Sequence, residues 1–197
     1  MLRDGQGRPT GVVLDQACDP VRALLPPVSA FELRRHLLKG VQIFNEAGFT
    51  HIRDMTCDEA QWNEAVRLDQ SGLLTLAVEE YFWLKGIDEL SGALDLARKA
   101  RAAQTRNLRV KGVKLFLDGA LGSEGAWLSK CYHGRTHQGL VLWEDSAMKE
   151  VFLRAWEGGF DVAVHAIGDE AADRVVALAR GLSAKAGPEP CIWSMES

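Results

Sequence analysis

The sequence is poor in cysteine, and its four cysteines never form a Cys-x-x-Cys pair. They stand far apart, as Cys18, Cys57, Cys131 and Cys191. This spacing argues against a zinc cluster or a disulfide framework, because both need grouped cysteines. We therefore expect buried or half-buried free thiols, since cysteine behaves as a small apolar residue in most protein cores.

The sequence also lacks a long apolar run and an excess of basic charge. Its longest apolar stretch, residues 73–78, is too short to span a bilayer. Residues 1–5 do not contain the apolar core of a secretory signal. A formal net charge of -4 and a pI near 5.8 argue against a nucleic-acid-binding surface. We expect a cytoplasmic protein with no membrane or nucleic-acid partner, whose oligomeric state leaves no trace in the sequence.

From residue 29 onward the pattern predicts alternating helices and strands. Ser29 and Glu32 form a capping box that opens the first helix. Thr56 and Glu59 form a second one, and Asp88 is placed to cap a third helix. Apolar runs between the helices predict strands at residues 49–55, 73–79, 110–117, 160–166 and 191–196.

Strands that are separated by helices, without tight hairpin turns, predict a parallel sheet. Either an open doubly wound sheet or a (β/α)₈ TIM-type barrel fits. The absence of a glycine-rich phosphate loop favours the barrel. A full barrel needs about 250 residues, and this chain has 197. We therefore expect residues 29–197 to form an incomplete barrel and residues 1–28 to be the tail of a preceding segment.

In either architecture reactive groups gather at the carboxyl ends of the strands. The predicted ends carry Arg53 and Asp54, Glu79 and Glu80, Lys114 and Asp118, His165 and Asp169, and Glu196. His165, at the end of an apolar strand, is either a core histidine or a metal ligand. Lys114 within a buried strand either reaches out to solvent, acts as a Schiff-base nucleophile, or bridges metals after carboxylation. Asp169 is more simply a helix cap than a catalytic group.

Two sequence blocks resemble amidohydrolase family 3, which includes the N-substituted formamide deformylases. Residues 112–123 read GVKLFLDGALGS, and residues 165–169 read HAIGD. Weaker similarities occur at residues 8–12 and 52–55. The resemblance extends over nearly the whole chain, and the lysine and histidine blocks are its specific parts.

The resemblance implies strands two to six of a metal-dependent hydrolase barrel within the amidohydrolase superfamily. In these enzymes a water bound to a divalent metal, expected to be zinc with one or two ions, attacks a C–N bond of a small amide. Lys114 falls where the superfamily often has a carboxylated lysine that bridges metals, and His165 falls on a metal ligand. Asp118, Gly119 and Gly122 would shape the substrate pocket.

The sequence departs from the family at four metal-site positions. It has no His-x-His pair for the first barrel strand, and Ser197 follows Glu196 where the family has a histidine. The aspartate expected after the eighth strand has no counterpart. We therefore expect that this chain does not catalyse by itself. Two alternatives stay open: a barrel lyase that uses Lys114 to form an imine, and a non-catalytic remnant.

Overall fold

The structure is a computed structural model that describes residues 1–186 and 193–196. Within these residues five strands form one parallel sheet, namely β1 (His51–Cys57), β2 (Ala77–Trp83), β3 (Leu108–Phe116), β4 (Asp161–His165) and β5 (Trp193–Glu196). The helices are α1 (Asp19–Arg22), α2 (Ala30–Glu46), α3 (Glu59–Gln70), α4 (Leu90–Ala102), α5 (Asp145–Glu157) and α6 (Asp169–Ala186). Short 3₁₀ helices lie at Asp15–Cys18, Ile87–Glu89 and Leu121–Ser123.

The strands lie in the sheet in the same order as in the sequence, β1-β2-β3-β4-β5, and all their pairings are parallel. A doubly wound sheet reverses direction at a switch point, because its helices cover both faces. An unbroken order with right-handed crossovers instead keeps every helix on the same face. The described residues therefore form part of a (β/α)-barrel, as the sequence predicted.

Alternate residues of the strands face the helices and form one apolar core with them. In β3 this set includes Val113 and Leu115, and in β4 it includes Val162 and Val164, all at most 1 % exposed. The helices contribute apolar residues such as Leu94 from α4. Because side chains alternate along a strand, the residues between these positions lie on the opposite face, which is the inner face of the barrel.

The second strand lies further along the chain than the sequence predicted. The run at residues 73–79 was expected to be the strand, but β2 begins at Ala77 and continues to Trp83. Leu74 and Leu76 are buried in the connection before it. Burial without strand pairing therefore accounts for the apolar run, and Glu79 and Glu80 lie inside the strand rather than at its carboxyl end.

Helix caps confirm one prediction and correct two. Ser29 and Glu32 do form a capping box at the start of α2. For α3 the box consists of Asp58 and Gln61, two residues later than the predicted Thr56 and Glu59. The predicted cap Asp88 lies within a 3₁₀ turn, and α4 has no side-chain cap because this turn leads directly into it.

The environments of the cysteines differ from the expectation in one case. Cys57 is buried and Cys18 is half-buried, but Cys131 is exposed on a loop; all three are free thiols. Cys191 lies outside the described residues. Within the described part of the chain, no helix is long and apolar enough to cross a membrane.

Candidate active site at the carboxyl edge of the sheet

The structure brings Lys114 and His165 to the same region of the inner face. Lys114 lies two residues before the end of β3, and His165 is the last residue of the neighbouring strand β4. The paired register aligns Phe116 with His165. His165 therefore lies two residues closer to the carboxyl edge than Lys114 does. In barrels this edge carries the active site.

The Lys114 side chain is buried, with only 2 % of the residue exposed. Its neighbours Val113 and Leu115 pack into the helix-facing core, and this packing directs Lys114 to the inner face. Its Nζ atom lies 5.1 Å from the centre of the Phe116 ring. This distance is within the range of a cation–π interaction, which partly compensates for the removal of a charge from water.

His165 has an environment that favours the neutral imidazole. Partial burial lowers its pKa below the usual value, and the positive charge of Lys114 lowers it further. The Asp118 carboxylate, whose Oδ1 lies 4.0 Å from Nε2, opposes this shift and raises the pKa. The neutral form has a free nitrogen lone pair, which is what a metal ion binds.

Asp118 uses its carboxylate to hold two loops together. Only 1 % exposed, it accepts hydrogen bonds from the backbone amides of Trp127, Ile167 and Gly168, at 2.9, 3.1 and 2.8 Å. These contacts connect the long loop after β3 to the turn after β4. The sequence analysis predicted that Asp118 shapes the substrate pocket. It could not predict these hydrogen bonds, because they join residues up to 50 positions apart.

Gly119 and Gly122 occupy different surroundings in the loop after β3. A Cβ atom at Gly119 would lie 3.1 Å from the Cα of Gly125, since the two backbones approach closely where the loop folds back. The amide of Gly119 also donates to the Gly125 carbonyl at 3.0 Å. Gly122 is exposed and has open space around it. Gly119 is thus needed for the loop's shape, whereas Gly122 faces solvent.

A row of rings at the carboxyl edge was missed from the sequence. Trp83, Phe116 and His165 are the last residues of β2, β3 and β4, respectively. The ring centres are 6.0 Å apart between Trp83 and Phe116, and 5.0 Å apart between Phe116 and His165. The signal was present in the sequence as one ring near the end of each strand, but the misplaced β2 hid it.

The other charged residues expected at this edge lie elsewhere. Glu79 is in the middle of β2, where Arg53 Nε and Lys111 Nζ approach its carboxylate at 3.3 and 3.9 Å. Glu80 is buried between Val78 and Phe82, and burial together with Asp54 raises its pKa to about 8. Glu79 therefore stabilises the sheet through its ion pairs, whereas the buried carboxyl group of Glu80 strains it. Neither residue forms part of the carboxyl edge.

Two of the residues expected at this edge, Asp169 and Glu196, lie after β4 and at the end of β5. The carboxylate of Asp169 accepts hydrogen bonds from the backbone amide and hydroxyl of Ser129, so it fastens the long loop to α6. Glu196 pairs with His165 through the backbone. Ser197 lies outside the described residues.

A divalent metal needs more ligands than these residues supply. Catalytic zinc sites use three protein ligands and an open position. Among the residues that the structure describes, no group of three or more His, Cys, Asp or Glu side chains is arranged to hold a metal ion. His165 fits as a nitrogen donor, and Lys114 fits only after carboxylation. This part of the chain does not form a complete metal site.

Comparison with known proteins gives a consistent family signal. The sequence model described as "Amidohydrolase family" matches residues 1–191. The chain is 27% identical over 198 residues to Protein LONG AFTER FAR-RED 3 from Arabidopsis thaliana, covering 95% of this chain and 33% of that protein. It is 26% identical over 181 residues to YtcJ from Bacillus subtilis, covering 89% and 33%. The chain thus spans about a third of the length of these relatives.

Two solved structures share the fold. Both are described as uncharacterized metal-dependent hydrolases, one from Pyrococcus horikoshii and one from Pyrococcus furiosus, and each superposes with a TM-score of 0.72. The sequence identities are 23% and 27%. The match covers 88% and 86% of this chain but only 35% and 36% of those structures.

Proposed function

The chain belongs to the amidohydrolase family, and from that premise we propose that it is part of a metal-dependent hydrolase of C–N bonds. The substrate class is a small non-peptide amide, such as an N-substituted formamide. One observation carries the proposal: Lys114 and His165 lie near the carboxyl edge on the inner face of adjacent strands. Because the chain covers a third of its relatives, the complete reaction is assigned to the whole protein.

In this proposal the two residues supply ligands for a divalent metal, with zinc as the expected ion. The neutral imidazole of His165 supplies nitrogen, and Lys114 supplies oxygen once CO₂ has converted its amine to a carbamate. When bound, the metal lowers the pKa of water so that hydroxide forms near neutral pH. Two donors fall short of a catalytic site, so further ligands must come from the rest of the protein. The 197-residue chain alone is therefore proposed to be inactive.

The test compares this chain with the longer protein that contains it. Zinc binding is measured by calorimetry, and hydrolysis of N-substituted formamides is followed by release of the amine. The longer protein should bind zinc and turn over the substrate, and His165→Ala and Lys114→Met should each abolish turnover. The 197-residue chain should show no turnover above its own His165→Ala variant.

Each result has a distinct consequence. Turnover by the short chain above the His165→Ala control would contradict the proposed inactivity. A longer protein that binds zinc yet cleaves no C–N bond would contradict the proposed reaction class. Reduction with borohydride in the presence of carbonyl compounds distinguishes the lyase alternative from the hydrolase. Only an imine formed on Lys114 is reduced to a stable adduct, whereas a carboxylated lysine gives none.

A further inference from the structure

The two oxygens of the buried Asp118 carboxylate differ in how many hydrogen bonds they accept. Oδ2 accepts two from backbone amides, those of Trp127 at 2.9 Å and Gly168 at 2.8 Å. Oδ1 accepts one, from the amide of Ile167 at 3.1 Å. Because each carboxylate oxygen has two lone pairs, these bonds saturate Oδ2, whereas Oδ1 can accept one more.

The imidazole of His165 faces the oxygen that is not saturated. Its Nε2 atom lies 4.0 Å from Asp118 Oδ1. This distance is longer than a hydrogen bond, but the ring can rotate about its Cβ–Cγ bond, a torsion that has a broad range in histidine. The Asp118 side chain is 0 % exposed and is held by its three backbone bonds. Nε2 is therefore the ring nitrogen that approaches a fixed acceptor.

A carboxylate in this place selects one of the two neutral forms of the imidazole. Aspartate is ionised at neutral pH and then only accepts hydrogen bonds. A neutral imidazole has one proton, on either ring nitrogen, and the hydrogen bond at one nitrogen determines which form is present. Asp118 therefore favours the form of His165 with the proton on Nε2 and the free lone pair on Nδ1.

We propose that Asp118 is a positioning residue for His165, because its Oδ1 atom holds the imidazole in the form whose Nδ1 lone pair is free. This claim concerns the ring in the 197-residue chain and does not depend on a metal. The use of that lone pair to bind a divalent metal rests on the function proposed above. Carboxylate partners of metal-binding histidines orient the ring and raise its basicity, which is the role that Asp118 would have in the longer protein.

The Asp118→Asn variant replaces one acceptor of this carboxylate with a donor. An amide side chain has one oxygen and one NH₂ group. Its oxygen is best placed where two backbone donors converge, at the position of Oδ2. The NH₂ group then takes the position of Oδ1 and donates toward His165 Nε2. We therefore expect the imidazole proton of this variant to move to Nδ1, so that Nε2 can accept.

The first experiment determines the form of the His165 ring in the 197-residue chain by NMR of the imidazole nitrogens. It is done without metal at about pH 7.5, where an ordinary histidine is mostly neutral. The chemical shifts distinguish a protonated ring nitrogen from one with a free lone pair. The His165 proton should be on Nε2 in the parent chain and on Nδ1 in Asp118→Asn. His36, an exposed residue of α2, is the internal reference and should be the same in both.

Asp169→Asn is the matched control. Asp169 is also a carboxylate that fastens the long loop, but its oxygens bind the backbone amide and hydroxyl of Ser129. A change in loop order would alter the His165 ring in both variants, whereas the loss of the acceptor beside Nε2 occurs only in Asp118→Asn. The control should therefore keep the proton of His165 on Nε2. Circular dichroism verifies that both variants are folded.

Three results would overturn the assignment. The first is a parent chain with the His165 proton on Nδ1, a result that requires no variant to fold. The second is a folded Asp118→Asn chain in which the proton stays on Nε2. The third is the same movement of the proton in Asp169→Asn, because the loop would then be its cause.

A second experiment separates this claim from the proposed function. In the longer protein, calorimetry should show zinc binding weakened by about 10–100-fold in Asp118→Asn and by less than about twofold in Asp169→Asn. Equal zinc affinities of the parent and Asp118→Asn would reject the role of Asp118 toward the metal. A longer protein that binds no zinc would reject the proposed function, and the form of the His165 ring in the short chain would still decide whether Asp118 positions it.

Discussion

The side-chain carboxylate of Asp118 accepts a hydrogen bond from the backbone amide of Gly168 at 2.8 Å, although 50 positions separate them in the sequence. The same carboxylate binds the amides of Ile167 and Trp127. One buried group therefore fixes the long loop after β3 against the turn that follows His165. Because that turn directly follows His165, the position of this residue depends on how the long loop after β3 is folded.

Replacing Asp118 with alanine should strongly destabilise the chain. The change leaves three backbone N–H groups without their acceptor, at a residue that is 1 % exposed. We expect the free energy of unfolding to fall by roughly 3 kcal/mol or more, as measured by urea titration. Asp169→Ala is the control, because Asp169 is an exposed carboxylate that holds the same loop through Ser129, and it should have a smaller effect. Equal midpoints for the two variants would contradict this account.

Alanine replacement should lower the stability of the chain at Gly168 but not at Gly122. A Cβ atom at Gly168 would lie 1.8 Å from the backbone oxygen of Trp127, whereas one at Gly122 would meet nothing within 4 Å. Gly168→Ala should therefore separate the two loops and lower the free energy of unfolding by about 2 kcal/mol or more. Gly122→Ala should leave stability within about 0.5 kcal/mol of the parent. Thermal unfolding of both variants tests this, and a stable Gly168→Ala would show that the loops approach less closely.

Glu80 should make the chain less stable as the pH rises. Its pKa is raised from 4.5 to about 8, first by burial and then by Asp54, and its Oε2 atom is buried without a hydrogen-bond partner. Between pH 4.5 and about pH 8, Glu80 thus keeps its proton in the folded chain but has released it in the unfolded chain. The contribution of Glu80 to stability is therefore fully present below pH 4.5 and is lost as the pH rises to about 8, by on the order of a few kcal/mol.

The test for Glu80 compares urea midpoints of the parent and Glu80→Gln across this pH range. Glutamine keeps the shape of the side chain but does not titrate, so the variant should lose this component of the pH dependence. At pH 8 and above the variant should be the more stable of the two. Parallel pH profiles for the two proteins would show that Glu80 does not titrate between the two pKa values.

The cap of α3 offers a prediction that separates two neighbouring residues. The Asp58 side chain accepts a hydrogen bond from the Gln61 amide at 2.8 Å, whereas Thr56 makes no capping contact with α3. Asp58→Ala should lower the free energy of unfolding by about 1 kcal/mol. Thr56→Ala, which tests the cap expected from the sequence, should have almost no effect. Chemical denaturation measures both, and the reverse order would restore the sequence-based assignment.

The sequence predicted the fold class, and it placed Lys114 within a strand and His165 at a strand end, because those signals are local. Lys114 interrupts a short apolar run and His165 ends one, whereas their common place on the inner face follows from the core packing of the structure. The capping box at Ser29 and Glu32 was correct for the same reason, since its contacts span three residues.

Features that depend on pairing between strands were not predictable in this way. The second strand was placed four residues too early, because the buried Leu74 and Leu76 have the composition of a strand without its pairing. That displacement moved Glu79 and Glu80 to a false strand end. It also concealed the ring contact between Trp83 and Phe116, because the true register pairs Trp83 with Lys114, two residues before Phe116.

The sequential strand order has a consequence for how this sheet is made during translation. Each strand pairs with the one synthesised immediately before it, so every new strand finds its partner already outside the ribosome. The sheet can grow by adding one helix and one strand at a time, and no strand has to insert between two that are already paired. Lys114 and His165 would then meet only when β4 docks, after β1, β2 and β3 have already paired.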